Sequence, residues 1–246
     1  MHEPRRLRLH IRRKHYVDAD GNTVEVLDDV AFALPRNAFT CLIGPSGCGK
    51  TTTLRILMGL DEHYEGEIDA ALRTARLGAA FQEPRLLPWR TLAQNVALAT
   101  RGAAEPSDAL VKAALADVGL GDLGDRYPGQ ISLGQQRRAA LARAFAVQPE
   151  ILYLDEPFVS LDEATAQRLR RLLVELWSSR QVTVLMVTHN VREAVQLADR
   201  IVLMTERPAR VAAELLVPLD RAGRTPAAVD AFAAEMARRY PALVAL

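Results

Sequence analysis

The chain has little cysteine, no long apolar run and almost no net charge, and each shortage closes off a class of protein. Cys41 and Cys48 are the two cysteines among 246 residues. Thiols that close in sequence do not suggest a structural disulfide framework, and they fit a reducing cytoplasm. No uninterrupted apolar stretch is long enough to cross a bilayer. Arg5, Arg6, Arg8, Arg12, Arg13 and Lys14 lie near the start, but no apolar signal-peptide core follows them. The expectation is therefore a soluble or membrane-peripheral protein. With a formal net charge of +1 there is no global basic field, and nucleic acid is not an expected partner. Internal repeats and low-complexity tracts are missing as well. What is there is a chain that is 49% hydrophobic, enough to bury a substantial core.

Its patterning predicts an α/β fold. Leu7, Leu9 and Ile11 alternate with charged residues, predicting a half-buried edge strand with a charged outer face. After a polar turn at residues 18–22, Val30, Phe32 and Leu34 predict an antiparallel partner that ends at Pro35. Short strands are expected at residues 39–43, 65–68 and 77–81. From Pro84 to Pro149 the character becomes helical. Thr91 with Gln94 makes a capping box, and Ser107 reads as the cap of a helix carrying Leu110, Ala114, Leu115 and Val118. Apolar strands then return at 151–154, 182–187 and 201–204, with helical stripes between them, implying a largely parallel sheet. Thr225 and Pro226 open a last helix bearing Val229, Phe232 and Met236.

Residues 39–60, FTCLIGPSGCGKTTTLRILMGL, organise the rest. A buried strand leads into Gly44, Pro45, Ser46, Gly47, Cys48, Gly49, Lys50 and Thr51, a full match to GxxxxGK[ST], and a helix follows. Glycines let the backbone curl so that several N–H groups converge on one anion. The helix start adds unpaired N–H groups and its dipole. Lys50 supplies a point charge for the β/γ-phosphates, and the Thr51 hydroxyl a ligand for Mg²⁺. Cys48 reads as a small residue filling a loop position, or else as a redox-sensitive thiol. No NKxD guanine-reading motif is present.

Two further stretches carry chemistry. Residues 151–157, ILYLDEP, end a buried strand on two carboxylates, where open α/β sheets bind ligands. Asp155 suits Mg²⁺, and Glu156 suits a general base that polarises water. Residues 131–138, ISLGQQRR, put Ser132 and Gly134 at a helix start, which reads either as a second anion site or as a plain helix cap. Gln82, after the strand at 77–81, can ligate Mg²⁺ or orient water, or be an ordinary surface residue.

Taken in order, these motifs resemble the nucleotide-binding subunits of ABC transporters over nearly the whole chain. The family's landmarks fall on Tyr16 as the aromatic that stacks on adenine, and on residues 44–52, including Thr52, as Walker A. Gln82 falls in the Q-loop, and Ser132, Gly134 and Gln135 in the signature. Asp155 with Glu156 matches Walker B and its glutamate, Asp162 the D-loop, and His189 the switch histidine. The resemblance implies ATP and Mg²⁺ as ligands. Lys50, Gln82, Glu156 and His189 would act in catalysis, and Thr51, Gln82 and Asp155 would arrange the metal. It also implies a head-to-tail dimer, with a second ATPase subunit closing the site through Ser132 and Gly134. The fold implied is a P-loop NTPase core (1–83 and 150–220) with an N-terminal antiparallel β subdomain. A helical subdomain (84–149) is inserted into it, and a helical extension (221–246) follows. One departure stands out: the usual LSGGQ signature has a glycine where this chain has Leu133.

Residues 81–89, FQEPRLLPW, and 205–211, TERPARV, are similar to the nitrate/sulfonate/taurine import ATPases. That similarity implies an importer of a small anionic solute, with two membrane permeases, a solute-binding protein and a peripheral place on the cytoplasmic face of the membrane. Leu86, Leu87 and Trp89 would then form a groove for the permease, or pack the helical subdomain. The alternatives are a soluble non-transport ABC ATPase and a cassette whose hydrolysis Leu133 impairs.

Overall fold

The computed structural model describes residues 6–100 and 108–244. The elements run β1 (Arg6–Val17), β2 (Thr23–Pro35), β3 (Phe39–Ile43), α1 (Lys50–Leu57), β4 (Glu65–Ile68) and α2 (Ala70–Thr74). Next come β5 (Leu77–Ala80), α3 (Leu92–Ala97), α4 (Asp108–Asp117), α5 (Leu133–Ala146), β6 (Ile151–Asp155) and α6 (Glu163–Ser178). The chain closes with β7 (Thr183–Thr188), α7 (Val191–Leu197), β8 (Arg200–Met204), β9 (Val211–Leu216) and α8 (Pro226–Arg239). The fold is α/β, with an antiparallel sheet, a largely parallel sheet and helices. It divides into two compact units, one of residues 1–74 and 183–246, the other of residues 75–182.

In the first unit β1 alternates as predicted, burying Leu7, Leu9 and Ile11 and exposing Arg8 and His10 between them. It is not an edge strand, however. The order is β2-β1-β4, because the short β4 pairs along the open side of β1, with Leu9 opposite Ile68 and Ile11 opposite Gly66. An outward charged face does not stop a strand from being paired on both sides, since pairing uses the backbone. The other sheet of this unit has β3 between parallel neighbours β7 and β8. All five residues of β3 are buried, as a strand covered on both faces requires. β9 adds antiparallel to β8. Its sequence, VAAELL, predicts no strand, since two alanines and a glutamate carry little strand propensity.

In the second unit β5 and β6 pair in parallel, and α3, α4 and α5 pack against one another. Thr91 and Gln94 do form a reciprocal capping box at α3. The predicted cap Ser107 lies outside the described residues. Asn95 of α3 is fully buried, and it pins the preceding loop. Its Oδ1 accepts from the Leu87 N–H at 2.7 Å, and its Nδ2 lies 3.1, 3.1 and 2.9 Å from the carbonyls of Leu87, Arg90 and Thr91. Removing that amide takes away the partner of the Leu87 N–H and that of the Arg90 carbonyl, whereas the carbonyls of Leu87 and Thr91 keep backbone donors. Asn95→Ala should cost about 2–3 kcal/mol, read as a lower urea midpoint with an unchanged m-value.

Candidate functional site

The predicted site residues divide between the two units. In the first, the phosphate loop leaves the end of β3 and enters α1 with no room to spare. A Cβ on Gly44 would sit 2.8 Å from the Met204 carbonyl oxygen. Gly49 caps α1 at φ 119, and a Cβ there would meet Leu27 at 2.6 Å. These glycines are demanded by space and by backbone conformation. Lys50 is buried, and its ammonium donates to the carbonyls of Gly44 at 2.7 Å and Pro45 at 2.8 Å. Its charge is thus fixed inside the loop's curl, while Ser46, Gly47 and Thr51 face outward. Burial pushes the Cys48 thiol up, and nearby Lys50 offsets this only in part. A protonated, enclosed thiol fills space, in keeping with the packing reading.

His189 follows β7 directly and joins the loop. Gly44, Pro45, Ser46 and residues 189–192 line one cavity of about 380 Å³ together with Leu243. The histidine's turn is held locally: Asn190 caps α7, and the Thr188 hydroxyl bonds the Glu193 carboxylate at 3.0 Å. Leu243, beyond α8, was not foreseen. No local signal marks it, because α8 brings it there by packing on α7.

Tyr16 stands near the end of β1, beside Thr52 and Arg55 of α1. Its hydroxyl donates to Asp61 Oδ2 at 2.8 Å, and the Lys14 ammonium lies 4.3 Å from its ring centroid. Lys14, itself buried, donates to Asp61 Oδ1 and to the His63 carbonyl, both at 2.7 Å. One ring face is thereby engaged by a cation, and the half-exposed tyrosine is held in a single orientation.

The second unit holds the remaining residues. Gln82 is exposed beyond β5, and Asp155 is the last residue of β6, with Glu156 following at φ 45. Asp162 caps α6, its Oδ1 accepting from the Thr165 N–H at 2.9 Å, and hydrogen bonds from the Thr165 side chain and then its backbone hold the carboxyl below its usual range. Ser132 caps α5, and its partner in the capping box is Gln135. The Ser132 hydroxyl accepts from the Gln135 N–H at 3.3 Å, and the Gln135 side-chain oxygen from the Ser132 N–H at 2.8 Å. The plain-cap reading of Ser132 is therefore realised within this chain. It is also compatible with an anion site, because Ser132, Gly134, Gln135, Arg138 and Arg168 line an open cavity of about 540 Å³. Trp89 is 69% exposed, while Leu86 and Leu87 are half-buried. The apolar groove expected there comes down mainly to the tryptophan. Arg143 helps hold this segment, donating to the carbonyls of Arg85 at 2.7 Å and Pro84 at 2.8 Å.

Leu133 is the first residue of α5, with its side chain exposed. A glycine is not required there, whereas Gly134 is tight: a Cβ on it would sit 2.8 Å from Thr165. Leu133→Gly should cost at most about 1 kcal/mol of stability without raising turnover. ATP hydrolysis appearing only in that variant would mean that the leucine blocks the site. The Asp61 cluster yields a second expectation. Burial alone would raise this carboxyl, but hydrogen bonds from Lys14 and Tyr16 outweigh it and hold it low. A lowered folded value means its contribution is complete above the unfolded value of about 4. That contribution fades as pH falls through the folded value. Asp61→Asn, which leaves Lys14 buried without its carboxylate, should cost about 3 kcal/mol at neutral pH. In denaturation series the gap from the native protein should narrow below about pH 4.

The profile of the ABC transporter family matches residues 27–159. The chain is 40% identical over 225 residues to the aliphatic sulfonates import ATP-binding protein SsuB 2 of Burkholderia cenocepacia, covering 89% of this chain and 80% of that one. It is 44% identical over 202 residues to SsuB 1 of Streptomyces avermitilis, covering 82% and 74%. Among solved structures, the dimeric post-hydrolysis state of the ATP-binding cassette MJ0796, bound to ADP and Pi, superposes with a TM-score of 0.73. It is 30% identical, covering 86% of this chain and 98% of that one. The chain belongs to the ABC transporter family and has the fold of its ATP-binding cassette.

Proposed function

We propose that this chain is the ATP-hydrolysing subunit of an importer for a small anionic solute, within the nitrate, sulfonate and taurine group. The observation that carries the reading is the phosphate loop itself, with Lys50 fixed by the loop's carbonyls and His189 lining the same cavity. The names of the relatives favour aliphatic sulfonates within that group. The working assembly would be two copies of this chain on two permease subunits, served by a solute-binding protein. The dimeric state of the related MJ0796 cassette supports the pairing of copies. Exposed Trp89, on a loop pinned by Asn95 and Arg143, suits a contact with a permease. No helix among the described residues is long and apolar enough to cross a membrane, which suits a peripheral place on the cytoplasmic face. The division into a core (1–83 and 150–220), a helical subdomain (84–149) and a C-terminal extension (221–246) is proposed on the same footing.

In this reading Lys50 and the loop N–H groups hold the phosphates, and Tyr16 stacks on the adenine. Ser132 and Gly134 of one copy reach the nucleotide held by the other, and Asp162 relays between copies. Thr51, Gln82 and Asp155 offer hard oxygen donors, few in number, which fits Mg²⁺, an ion that keeps waters and phosphate oxygens as its other ligands. The metal would supply charge neutralisation on the phosphates. Glu156 accepts a proton from the attacking water, and His189 supports the γ-phosphate. Glu156→Gln should leave ATP binding intact and lower hydrolysis by roughly 10²–10⁴. Near-native turnover in that variant would remove Glu156 from the role.

A further inference from the structure

A turn of helix beyond the signature, Arg137 of α5 is 5% exposed. Its Nη1 donates to the Pro157 carbonyl at 3.1 Å and its Nη2 to the Val159 carbonyl at 2.9 Å. Its Nε is also buried and has no hydrogen-bond partner among the described residues. Burial draws its pKa down, and the charge of Glu83, next to Gln82, opposes this. The two carbonyls belong to the turn that connects Glu156 to Asp162. That turn is bracketed by Glu156 at φ 45 and Ser160 at φ 61, a conformation that residues with side chains seldom adopt. Such backbone persists only where its surroundings over-determine it. The guanidinium supplies that determination, since its planar fork holds two carbonyls at once.

We propose that Arg137 is a positioning residue for hydrolysis. It clamps residues 157–159 so that Glu156 on one side and Asp162 on the other are presented in working geometry. It also ties that turn to the helix bearing Ser132 and Gly134. The inference rests on the reading of Glu156 given above. Stability alone does not account for the arrangement. A buried cation bonded to neutral carbonyls, with one N–H unsatisfied, is a poor stabiliser compared with an apolar side chain. Function does account for it, because small displacements of a catalytic group are costly in rate.

The test uses the full-length chain, assayed with its membrane partners, in four forms: Arg137→Met, Arg137→Lys, Glu156→Gln and the Arg137→Met/Glu156→Gln double variant. Arg137→Met should lower kcat by about 10–100-fold, with KM and the affinity for a fluorescent ATP analogue held within about twofold. Arg137→Lys should recover part of the loss. In the Glu156→Gln background the methionine substitution should lower kcat by no more than about twofold, because the group it positions is already gone. A merely structural role would instead give the same loss in both backgrounds. Native kcat in folded Arg137→Met, or a loss confined to KM, would overturn the proposal. So would failure of both single Arg137 variants to fold, which would make the arginine a folding residue. If Glu156→Gln hydrolyses normally, it is the reading of Glu156 that fails. If Glu156→Gln is impaired while Arg137→Met is not, the positioning role alone fails.

Discussion

The structure depends on packing the two ends of a phosphate loop, at Gly44 and Gly49, into spaces with no tolerance for a side chain. Strand β3 is buried along its length, and its continuation at Gly44 lies against the backbone of Met204. At Gly49 the chain enters α1 in a left-handed conformation against Leu27. Strands β2 and β8 therefore press on the loop from two directions. Their positions are set by pairing elsewhere, β2 with β1 and β8 with β3 and β9. The Lys50 ammonium completes the loop by binding its own carbonyls, where a surrounding of low polarity strengthens each bond. A change in β2 or β8 would reach the loop through direct contact.

The second unit solves a different problem, that of holding irregular backbone still. It does so by letting polar side chains capture backbone groups. Asn95 and Arg143 grip the segment that displays Trp89, Ser132 and Gln135 close the start of α5, and Asp162 closes the start of α6. Arg137 belongs to the same set. Each such bond is modest, but each removes an orphaned polar group that would otherwise cost more than the bond itself contributes. Loops held in this way can carry functional residues without strand pairing.

Legibility follows the range of the forces involved. The phosphate loop, the capping box at Thr91 and Gln94, the Thr225 cap and the buried strands were readable, since local sterics and hydrogen bonding dictate them. The edge assignment of β1 failed, because whether a strand is paired on one side or two depends on where β4 travels. Strand β9 was hidden because pairing with β8, not its own propensity, makes it a strand. Gln135 falls in the signature, and the structure adds that its side-chain oxygen closes the start of α5.

By itself the sequence determined the chemistry on offer: a loop for phosphate, a lysine to charge it, paired carboxylates at a strand end and a histidine after another strand. The tertiary structure alone decided which groups meet. It brought His189 and Leu243 to the loop, fastened Tyr16 through Lys14 and Asp61, and set Arg137 beneath the turn after Glu156. The physical reason is that residue types and short spacings specify local hydrogen bonds. Contacts between distant segments emerge only when the whole chain buries its apolar surface and each buried polar group must find a partner.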